Sequence, residues 1–426
     1  MLLRPARCDL LNLGMQLRLA KCDLQKCSVA RDRVFKMSFY DVITSFDVDK
    51  FKELVDTRSD ADVERALNKD SALTVEDFAA LISDNARKHY LRDMVMKSMQ
   101  LTRKRFGRTI NMYVPLYLTN LCTNKCAYCG FSSDNKFART VLTLEEIEAE
   151  CKAIQDLGFQ NILLVTGESE RRGGMDYFRQ VLPVVKPYAA YLQMEVQPLN
   201  TEDYAELKTL GLDSVSVYQE TYHPATYKAV HLAGKKTDMR YRMETPERLG
   251  QAGIDKVGIG ALLGLYDWRV DCCATAMHVL YMREHYWKTR LSVSFPRLRP
   301  AAGGYEPHMP VSDAQLVQLI AAWRIFDNEL DLTISTRESE QFRDMIVPYG
   351  ITAMSAQSST EPGGYANKGK YLEQWHVNDD RTVEQVVRAL EINGLQAVFH
   401  DASTSYMPVP KGPLDAAKMM ACAPKA

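Results

Sequence analysis

Three closely spaced cysteines are the residues of this chain with the clearest chemical potential. Cys122, Cys126 and Cys129 follow an apolar run in a C-x3-C-x2-C arrangement. Three thiolates within eight residues could bind three irons of an iron–sulfur cube, because such clusters are held by cysteine. No other cysteine or histidine lies within twenty residues on either side. The fourth iron would then keep an open coordination position, which reaction chemistry requires.

Two other interpretations of these cysteines stay open from the spacing alone. A structural zinc site needs four closed ligands, so its fourth ligand would have to come from a distant part of the chain. Spacing of i, i+4 and i+7 could also place three small apolar thiols on one helix face as core packing. Against a helix, the neighbouring Asn120, Asn124 and Gly130 favour a loop. We therefore favour the cluster.

The cysteine motif resembles the signature of the radical S-adenosylmethionine (SAM) enzymes, which carry an aromatic residue directly before the last cysteine, here Tyr128. Other segments resemble one family among them, the tyrosine lyases of thiamine-thiazole biosynthesis, or 2-iminoacetate synthases. These segments read YVPLYLTNLC, LLVTGE, MEVQPL, VYQETYH, SFPRLRP and STRES. The resemblance extends from about residue 46 to about residue 406.

The resemblance implies a carbon–carbon lyase with a [4Fe-4S] cluster and SAM as cofactors. The amine and carboxylate of SAM would bind the open iron, and an electron from the reduced cluster would break the bond between the sulfonium and the 5′-carbon. The protein would orient SAM and exclude water. The deoxyadenosyl radical would take a hydrogen atom from L-tyrosine, whose Cα–Cβ bond would then break. The implied products are 2-iminoacetate (dehydroglycine), p-cresol, methionine and 5′-deoxyadenosine.

The resemblance also implies partners for the chain. Because 2-iminoacetate is an imine that water hydrolyses easily, we expect its delivery to thiazole synthase and the thiocarboxylated sulfur carrier protein of that enzyme. Reduction of the cluster implies an external electron donor such as flavodoxin or ferredoxin.

Composition and charge argue against several other classes of protein. The 53 Lys and Arg residues nearly balance the 54 Asp and Glu residues, so no bulk charge indicates nucleic acid or an anionic membrane surface. The longest apolar runs, such as residues 257–266, are interrupted by glycines and too short to span a bilayer. Ten cysteines in 426 residues, three of them at metal-ligand spacing, fit a reducing cytoplasm better than a disulfide scaffold.

The first 36 residues differ from the rest of the chain. They hold eight Lys and Arg residues, three Asp residues and three of the ten cysteines. The aspartates argue against a transit peptide, and no apolar core for secretion is present. We expect residues 1–36 to be an extended or misassigned leader outside the fold, followed by a helical segment at residues 37–108 with helices near 60–67, 74–82 and 90–106.

From residue 109 the pattern becomes an alternation of apolar runs and amphipathic segments. The runs are residues 112–118, 161–165, 191–196, 214–218, 256–262, 291–295, 331–334 and 351–355. The first helix has Thr143 as its N-cap, Glu146 three residues on and Gly158 at its end. Eight βα units predict an α/β fold, a (β/α)8 TIM-type barrel over residues 109–356. We expect residues 357–426 to form a C-terminal cap, with a helix at 383–392 and a strand at 396–400, and a tail.

Active sites of such barrels lie at the C-terminal ends of the strands. Polar residues stand at those ends of the predicted strands: Tyr117, Thr166, Gly167, Glu168, Glu195, Gln197, Tyr218, Gln219, Glu220, Arg297, Arg299, Ser335, Arg337 and Ser355. So many polar groups at one end are hard to explain as core filling. We expect them to line one cavity with the cysteines.

The resemblance assigns several of these residues to the cofactor. The motif Thr166-Gly167-Glu168 occupies the place that receives the methionyl amine of SAM. Arg242, in YRMETPERL, matches the arginine that pairs with the methionyl carboxylate, and Tyr128 matches the residue that contacts adenine. Glu195 and Glu220 are assigned to the same cofactor cavity.

A free amino acid needs its carboxylate bound in a buried site, and arginine does this best through two parallel hydrogen bonds. We assign that role to Arg337, with Ser355 as helper, ahead of Arg297 and Arg299. Tyr117 matches a tyrosine placed near the substrate amine in related lyases; its alternative role is a core tyrosine with a satisfied hydroxyl.

Two rival functions are less favoured by the sequence. The tyrosine lyase of hydrogenase maturation carries a second cluster on a C-terminal C-x2-C motif, whereas here only Cys422 follows Cys273. A zinc-dependent barrel hydrolase would need histidine or carboxylate ligands at close spacing, but the eight histidines are scattered. We interpret Cys151 and the adjacent Cys272 and Cys273 as packing residues.

Overall fold

The computed structural model describes residues 37–400. The leader at residues 1–36 and the tail beyond residue 400, which includes Cys422, lie outside the described residues. The expectations for those two segments therefore stay predictions.

A helical segment precedes the barrel, as the sequence predicts. Its helices are α1 Phe39–Thr44, α2 Lys50–Asp56, α3 Asp60–Asn68, α4 Val75–Leu81 and α5 Leu91–Phe106, with a π-helical turn at Ala86–Tyr90. Ser59 and Thr74 begin α3 and α4 with capping boxes, which satisfy amide groups that the start of a helix leaves free. Met94, Ser98 and Thr102 form the buried face of α5.

Parallel strands form the centre of the molecule. The strands are β1 Thr109–Thr119, β2 Lys125–Cys126, β3 Asn161–Thr166, β4 Tyr191–Glu195, β5 Ser214–Ser216, β6 His231–Ala233, β7 Lys256–Gly260, β8 Arg290–Ser294, β9 Asp331–Ile334, β10 Ala353–Ser355 and β11 Gln396–Val398. Eight of them, β1, β3, β4, β5, β7, β8, β9 and β10, pair in that order, and β10 pairs back with β1. The closed parallel barrel and its eight predicted strands are confirmed.

Helices follow these strands and cover the outside of the barrel. They are α6 Leu144–Asp156, α7 Glu170–Gly173, α8 Met175–Val185, α9 Thr201–Thr209, α10 Pro224–Val230, α11 Met239–Met243, α12 Thr245–Gln251, α13 Trp268–His285, α14 Asp313–Phe326, α15 Glu340–Ile346 and α16 Val383–Ile392. Thr143 caps α6 in the predicted capping box with Glu146. Gly158 follows α6 with a φ of +87°, a conformation that glycine adopts without steric cost.

The N-terminal helices pack on two barrel helices, because α13 contacts α2 and α4 while α14 contacts α4 and α5. Barrel and N-terminal segment thus share one hydrophobic core. Cys151, Cys272 and Cys273 are buried in that core as free thiols, which confirms that they pack.

The C-terminal extension reaches both ends of the barrel. The segment around Gln374 and Trp375 lies over the C-terminal strand ends, where these two residues line the same cavity as Tyr117. Strand β11 pairs instead with the start of β1, Thr109 facing Gln396. None of the helices within residues 37–400 is both long and apolar enough to cross a bilayer.

Candidate functional site

A cavity opens at the C-terminal ends of the barrel strands, and every residue that the sequence assigned to the site lines it. These residues are Tyr117, Cys122, Cys126, Tyr128, Cys129, Thr166, Gly167, Glu168, Glu195, Glu220, Arg242, Arg337 and Ser355. Of the other strand-end candidates, Tyr218, Arg299 and Ser335 also line the cavity, whereas Gln197, Gln219 and Arg297 do not. The strand ends of the barrel bring these groups together from positions spread over more than half of the chain.

The three cysteines lie in the loop that follows β1. Cys126 is buried in β2, which pairs antiparallel with β6, while Cys122 and Cys129 are partly exposed to the cavity. Burial raises the pKa of the Cys126 thiol, and the nearby Lys236 ammonium opposes that rise. This cation would offset the negative charge of a cluster thiolate, so the donor set fits an iron–sulfur cluster.

The cysteines do not converge on one point. Within residues 37–400, no group of three or more His, Cys, Asp or Glu side chains is placed to hold a single metal ion. A single zinc ion needs such convergence, whereas in a four-iron cube each cysteine binds a different iron. A cluster therefore does not require the three cysteine side chains to meet at one ion.

Polar side chains hold the backbone of the cysteine loop. Arg139 donates to the carbonyls of Asn120 and Phe131 at 2.6 and 2.8 Å, and to two further carbonyls of the loop. Asn135 donates to the carbonyls of Cys129 and Gly130 at 3.2 and 2.9 Å. Arg139 and Asn135 thus hold the backbone of the loop by hydrogen bonds. Neither Arg139 nor Asn135 carries a sequence signal, because a loop arginine is usually solvated.

Four charged side chains form a compact cluster beside the cysteines, named here the charged quartet: Glu168, Glu220, Lys236 and Arg242. Arg242 Nη1 lies 2.9 Å from Glu168 Oε1 and its Nη2 lies 3.5 Å from Glu220 Oε1. Lys236 Nζ donates to Glu220 Oε1 at 2.7 Å. The two carboxylates balance the two cations, as burial of charge requires.

Burial alone would raise the pKa of both glutamates of the charged quartet. The two cations outweigh that effect and hold the pKa of Glu168 and the pKa of Glu220 below their usual range. Both carboxylates are therefore ionised at neutral pH. Sequence reasoning assigned three members of the quartet and missed Lys236, which lies five residues after β6 begins and has no motif around it.

Glu220 has a strained backbone. Its φ of 73° lies in the left-handed region, which costs a non-glycine residue on the order of 1–3 kcal/mol. The Leu262 amide donates to the Glu220 carbonyl at 2.8 Å and holds this conformation. Such strain is concentrated at functional sites, where the surrounding structure fixes a side chain in place.

The end of β3 comes very close to the cysteine loop. A Cβ on Gly167 would overlap the Leu121 carbonyl, so only glycine fits there. The Thr123 amide donates to the Glu168 carbonyl at 2.9 Å. Thr166 Oγ1 is buried and has no hydrogen-bond partner among the described residues. A buried polar group without a partner on the cavity wall fits the binding of a polar ligand.

Tyr128 lies at an apolar part of the cavity. His231 Nδ1 donates to the Tyr227 carbonyl at 2.9 Å, so its Nε2 accepts the Tyr128 hydroxyl at 2.8 Å. Around the Tyr128 ring lie apolar side chains: Ala127, Val230, Leu262, Leu265, Leu298 and Tyr305. An aromatic ring fixed in orientation and surrounded by apolar groups suits a flat heterocycle such as adenine.

Arg337, which follows β9, lines the cavity next to the C-terminal extension. Its guanidinium stacks on the Trp375 ring at 4.0 Å, and no carboxylate of residues 37–400 forms an ion pair with it. Burial lowers the pKa of Arg337, although a guanidinium stays charged at neutral pH. A half-buried cation that faces the cavity and has no ion-pair partner among residues 37–400 fits the binding of an anionic ligand.

The two rival arginines already have partners. Arg297 pairs with Glu338 and with Asp313, the latter at 2.7 Å, and Arg299 Nη2 lies 2.7 Å from Glu338. Carboxylates of the protein therefore already neutralise the charges of Arg297 and Arg299. The geometry favours Arg337 over both as an anion site.

The hydroxyl of Tyr117 is both satisfied and close to the cavity. It donates to Gln374 Oε1 at 2.7 Å, and the Tyr117 ring meets Phe131 edge-on at 6.0 Å. Its hydrogen-bond partner belongs to the C-terminal extension, 257 residues away. Gln374 and Trp375 therefore complete the cavity wall, and sequence reasoning missed both because no local pattern marks such a long-range contact.

Glu195, at the end of β4, faces both sides of the cavity. Burial is the main reason that its pKa rises to about 7, and Glu220 contributes to the rise. Arg337, Lys236 and Arg242 oppose it. This carboxyl group can therefore exchange a proton near neutral pH.

Comparison with known proteins agrees with this geometry. Residues 116–272 match the Radical SAM superfamily, and residues 294–396 match the Biotin and Thiamin Synthesis associated domain. The 2-iminoacetate synthases of Salmonella typhimurium and Escherichia coli are each 52% identical over 365 residues, which is 85% of this chain and 96% of those proteins.

Solved structures show the same fold. HydG, a maturase of the [FeFe]-hydrogenase, superposes with a TM-score of 0.75 at 28% identity, over 88% of this chain and 81% of that chain. Methylornithine synthase superposes with a TM-score of 0.63 at 20% identity, over 79% of this chain and 97% of that chain, which is a likeness of fold alone.

Proposed function

The chain belongs to the 2-iminoacetate synthase family of radical SAM enzymes, and we propose on this premise that it cleaves the Cα–Cβ bond of L-tyrosine. The products are 2-iminoacetate and p-cresol, with SAM converted to methionine and 5′-deoxyadenosine. The observation that carries the proposal is one cavity that joins the three-cysteine loop to Arg337, a half-buried cation that forms no ion pair with a carboxylate among residues 37–400.

The cysteine side of the cavity holds the cofactors. Cys122, Cys126 and Cys129 bind three irons of a [4Fe-4S] cluster. When bound, the cluster and SAM supply a 5′-deoxyadenosyl radical after one-electron reduction. Arg242, held by Glu168 and Glu220, would lie beside the methionyl carboxylate, and the Tyr128 ring would pack on adenine.

Two further contacts complete the binding of SAM. Thr166 Oγ1, unpartnered within the described residues, and the adjacent Gly167-Glu168 backbone receive the methionyl amine. Glu168 already accepts from Asn124 Nδ2 at 2.6 Å, so its position is fixed before SAM arrives. A preformed site of this kind costs little reorganisation on binding.

The Arg337 side of the cavity binds the amino acid. Arg337 forms a bidentate pair with the tyrosine carboxylate, with Ser355 as a hydrogen-bonding helper. Tyr117 receives the substrate amine. Glu195, which the resemblance assigned to the cofactor, also interacts with Arg337, and we propose that it receives the same amine. These assignments would hold the amino acid in the same cavity as the cysteine loop, as a hydrogen-atom transfer requires.

The stoichiometry of the proposed reaction requires one further electron and one proton. Loss of a hydrogen atom followed by Cα–Cβ cleavage would leave a p-hydroxybenzyl fragment as a radical, which would need one electron and one proton to become p-cresol. The electron comes from the external donor. Glu195, with its pKa of about 7, is the side chain of the cavity suited to exchange the proton.

The fate of the product suggests partners and a location. Since 2-iminoacetate hydrolyses in water, we propose that a thiazole synthase with its thiocarboxylated sulfur carrier protein receives it. A flavodoxin or ferredoxin supplies the electrons. A nearby thiazole synthase and a protein electron donor are both compatible with the cytoplasm. The free thiols among residues 37–400 also fit a reducing compartment of that kind.

Anaerobic incubation of the reconstituted protein with reductant, SAM and tyrosine tests the proposal. We expect p-cresol and 5′-deoxyadenosine to form together. If 5′-deoxyadenosine forms without p-cresol, the radical chemistry stands and the substrate assignment is wrong. A colourless protein that contains zinc instead of about four irons per chain would reject the cluster itself.

A further inference from the structure

One short segment of the C-terminal extension touches both sides of the cavity. Residues 373–376 are named here the crossing segment. The backbone N–H of Gln374 donates to the Thr360 carbonyl at 3.0 Å and holds this segment in place. Thr360 Oγ1 donates to the Trp375 carbonyl at 3.0 Å. The segment is therefore fixed through its backbone, independently of what its side chains contact.

The crossing segment lies directly on the cysteine loop. A Cβ on Gly130, the residue after Cys129, would overlap the carbonyl of Gln374. Only glycine allows two backbones to approach so closely. The position of Gln374 is thus tied to the position of Cys129 by backbone contact.

The Gln374 side chain joins a cysteine sulfur to the tyrosine at the substrate site. Its Oε1 accepts the hydroxyl of Tyr117 at 2.7 Å, and its Nε2 lies 3.9 Å from Cys129 Sγ as a hydrogen-bond donor. The reverse orientation would place the amide carbonyl against a cluster thiolate, which only accepts hydrogen bonds. The chemistry of the two partners therefore selects this orientation.

This arrangement has a consequence for each partner. The Tyr117 hydroxyl has one proton, which it donates to Gln374 Oε1. The lone pairs of the Tyr117 oxygen are therefore what it presents to the cavity, and they can accept a hydrogen bond from an ammonium group. The N–H donor at Cys129 Sγ offsets negative charge on the sulfur. Hydrogen bonds to cluster sulfurs stabilise the reduced state, which carries the additional electron.

We propose that Gln374 is a positioning residue that couples binding of tyrosine to reduction of the cluster. This inference rests on the proposed function. An ammonium that donates to Tyr117 polarises its hydroxyl, which strengthens the hydrogen bond to the Gln374 amide and, through the amide, the bond to Cys129. Tyrosine then raises the midpoint potential of the cluster. By linkage, reduction of the cluster tightens the binding of tyrosine.

The midpoint potential of the reconstituted protein, followed by EPR with and without tyrosine, tests this coupling. We expect tyrosine to shift the reduction equilibrium of the wild type about tenfold toward the reduced cluster, which is about 59 mV for one electron. Gln374→Leu starts at a more negative potential, and tyrosine does not change it. Tyr117→Phe keeps the starting potential near that of the wild type and also loses the response to tyrosine.

Glu373→Gln is the matched control, because the Glu373 side chain is exposed and does not line the cavity. It should respond to tyrosine as the wild type does. If tyrosine shifts the midpoint potential of Gln374→Leu as it does in the wild type, the coupling is wrong. If Gln374→Leu loses its cluster, the same shift in Tyr117→Phe overturns the coupling. If the wild type itself shows no four-iron signal or does not bind tyrosine, the proposed function has failed instead.

Discussion

Cys126 and Cys151 carry the same thiol in two different environments. Cys126 lines the cavity beside Lys236, whereas Cys151 lies on the buried face of α6 in the hydrophobic core. We expect Cys126→Ala to lose the cluster, because one of three iron ligands is removed, and Cys151→Ala to keep it. Iron content and the brown absorbance after anaerobic reconstitution measure this difference. Equal loss of iron in both variants would mean that the ligand set is misassigned.

Arg337 differs from the other arginines of the cavity by having no carboxylate partner within residues 37–400. Lysine at this position keeps the charge but loses the bidentate geometry. We expect Arg337→Lys to lower kcat/KM for tyrosine about 10- to 100-fold, the equivalent of one or two hydrogen bonds to a charged group, with SAM binding intact. Arg297→Lys, whose ion pairs persist, is the control. Unchanged turnover in Arg337→Lys would place the carboxylate site elsewhere.

The ionisation of Glu195 should make the affinity for tyrosine depend on pH. Its pKa of about 7 results from burial and from Glu220, against the opposing cations Arg337, Lys236 and Arg242; Tyr117 also faces it. Below that pKa the carboxyl group is neutral and does not attract the substrate ammonium. We therefore expect the affinity for tyrosine to rise up to about tenfold from about pH 6 to about pH 8.

Calorimetric titration of tyrosine at several pH values measures that rise, and Glu195→Gln provides the comparison. The variant should bind weakly at all of these pH values, because its amide cannot ionise. The same rise with pH in the variant would assign the titration to another group.

At the scale of elements, the sequence was informative wherever a local pattern sets the structure. The capping boxes at Thr74 and Thr143 and the terminating Gly158 are local signals, and the helices begin and end accordingly. The eight strands were also predictable, because each is a short apolar run followed by a polar group. The contacts of Gln374 were not, since its partner Tyr117 lies 257 residues away and no local pattern encodes such a contact.

A buried ion pair joins the C-terminal extension to the barrel. Arg343 of α15 and Asp379 are both fully buried and paired, and Arg343 also donates to the carbonyl of Ser355 at the end of β10. Removal of one partner leaves an uncompensated buried charge, which costs about 3–5 kcal/mol. We expect Asp379→Ala to lower the free energy of unfolding by about this amount.

Denaturant unfolding of the Asp379→Ala variant measures the loss, with Asp380→Ala as the control at an exposed neighbour. The control should change stability by less than about 0.5 kcal/mol, as surface substitutions usually do. A similarly small change in Asp379→Ala would show that the pair does not hold the extension to the barrel.

At the scale of the whole molecule, closure of the barrel explains why the site could be anticipated and why its details could not. Parallel strands present their carboxyl ends at one end of a barrel, so polar residues at the run ends were expected to meet, and most of them do, whereas Gln197, Gln219 and Arg297 lie outside the cavity. Which charges pair with one another depends on side-chain directions that periodicity does not give. Lys236 and the pairing of Arg297 with Glu338 were therefore found only in the structure.

The position of bond cleavage is the most direct test of the account. Tyrosine labelled with 13C at Cα is incubated anaerobically with the reduced protein and SAM, and the products are followed by NMR. Cleavage between Cα and Cβ predicts the label in glyoxylate, the hydrolysis product of 2-iminoacetate, and unlabelled p-cresol. Label retained in the aromatic product, or turnover of SAM with intact tyrosine, would contradict the proposed reaction.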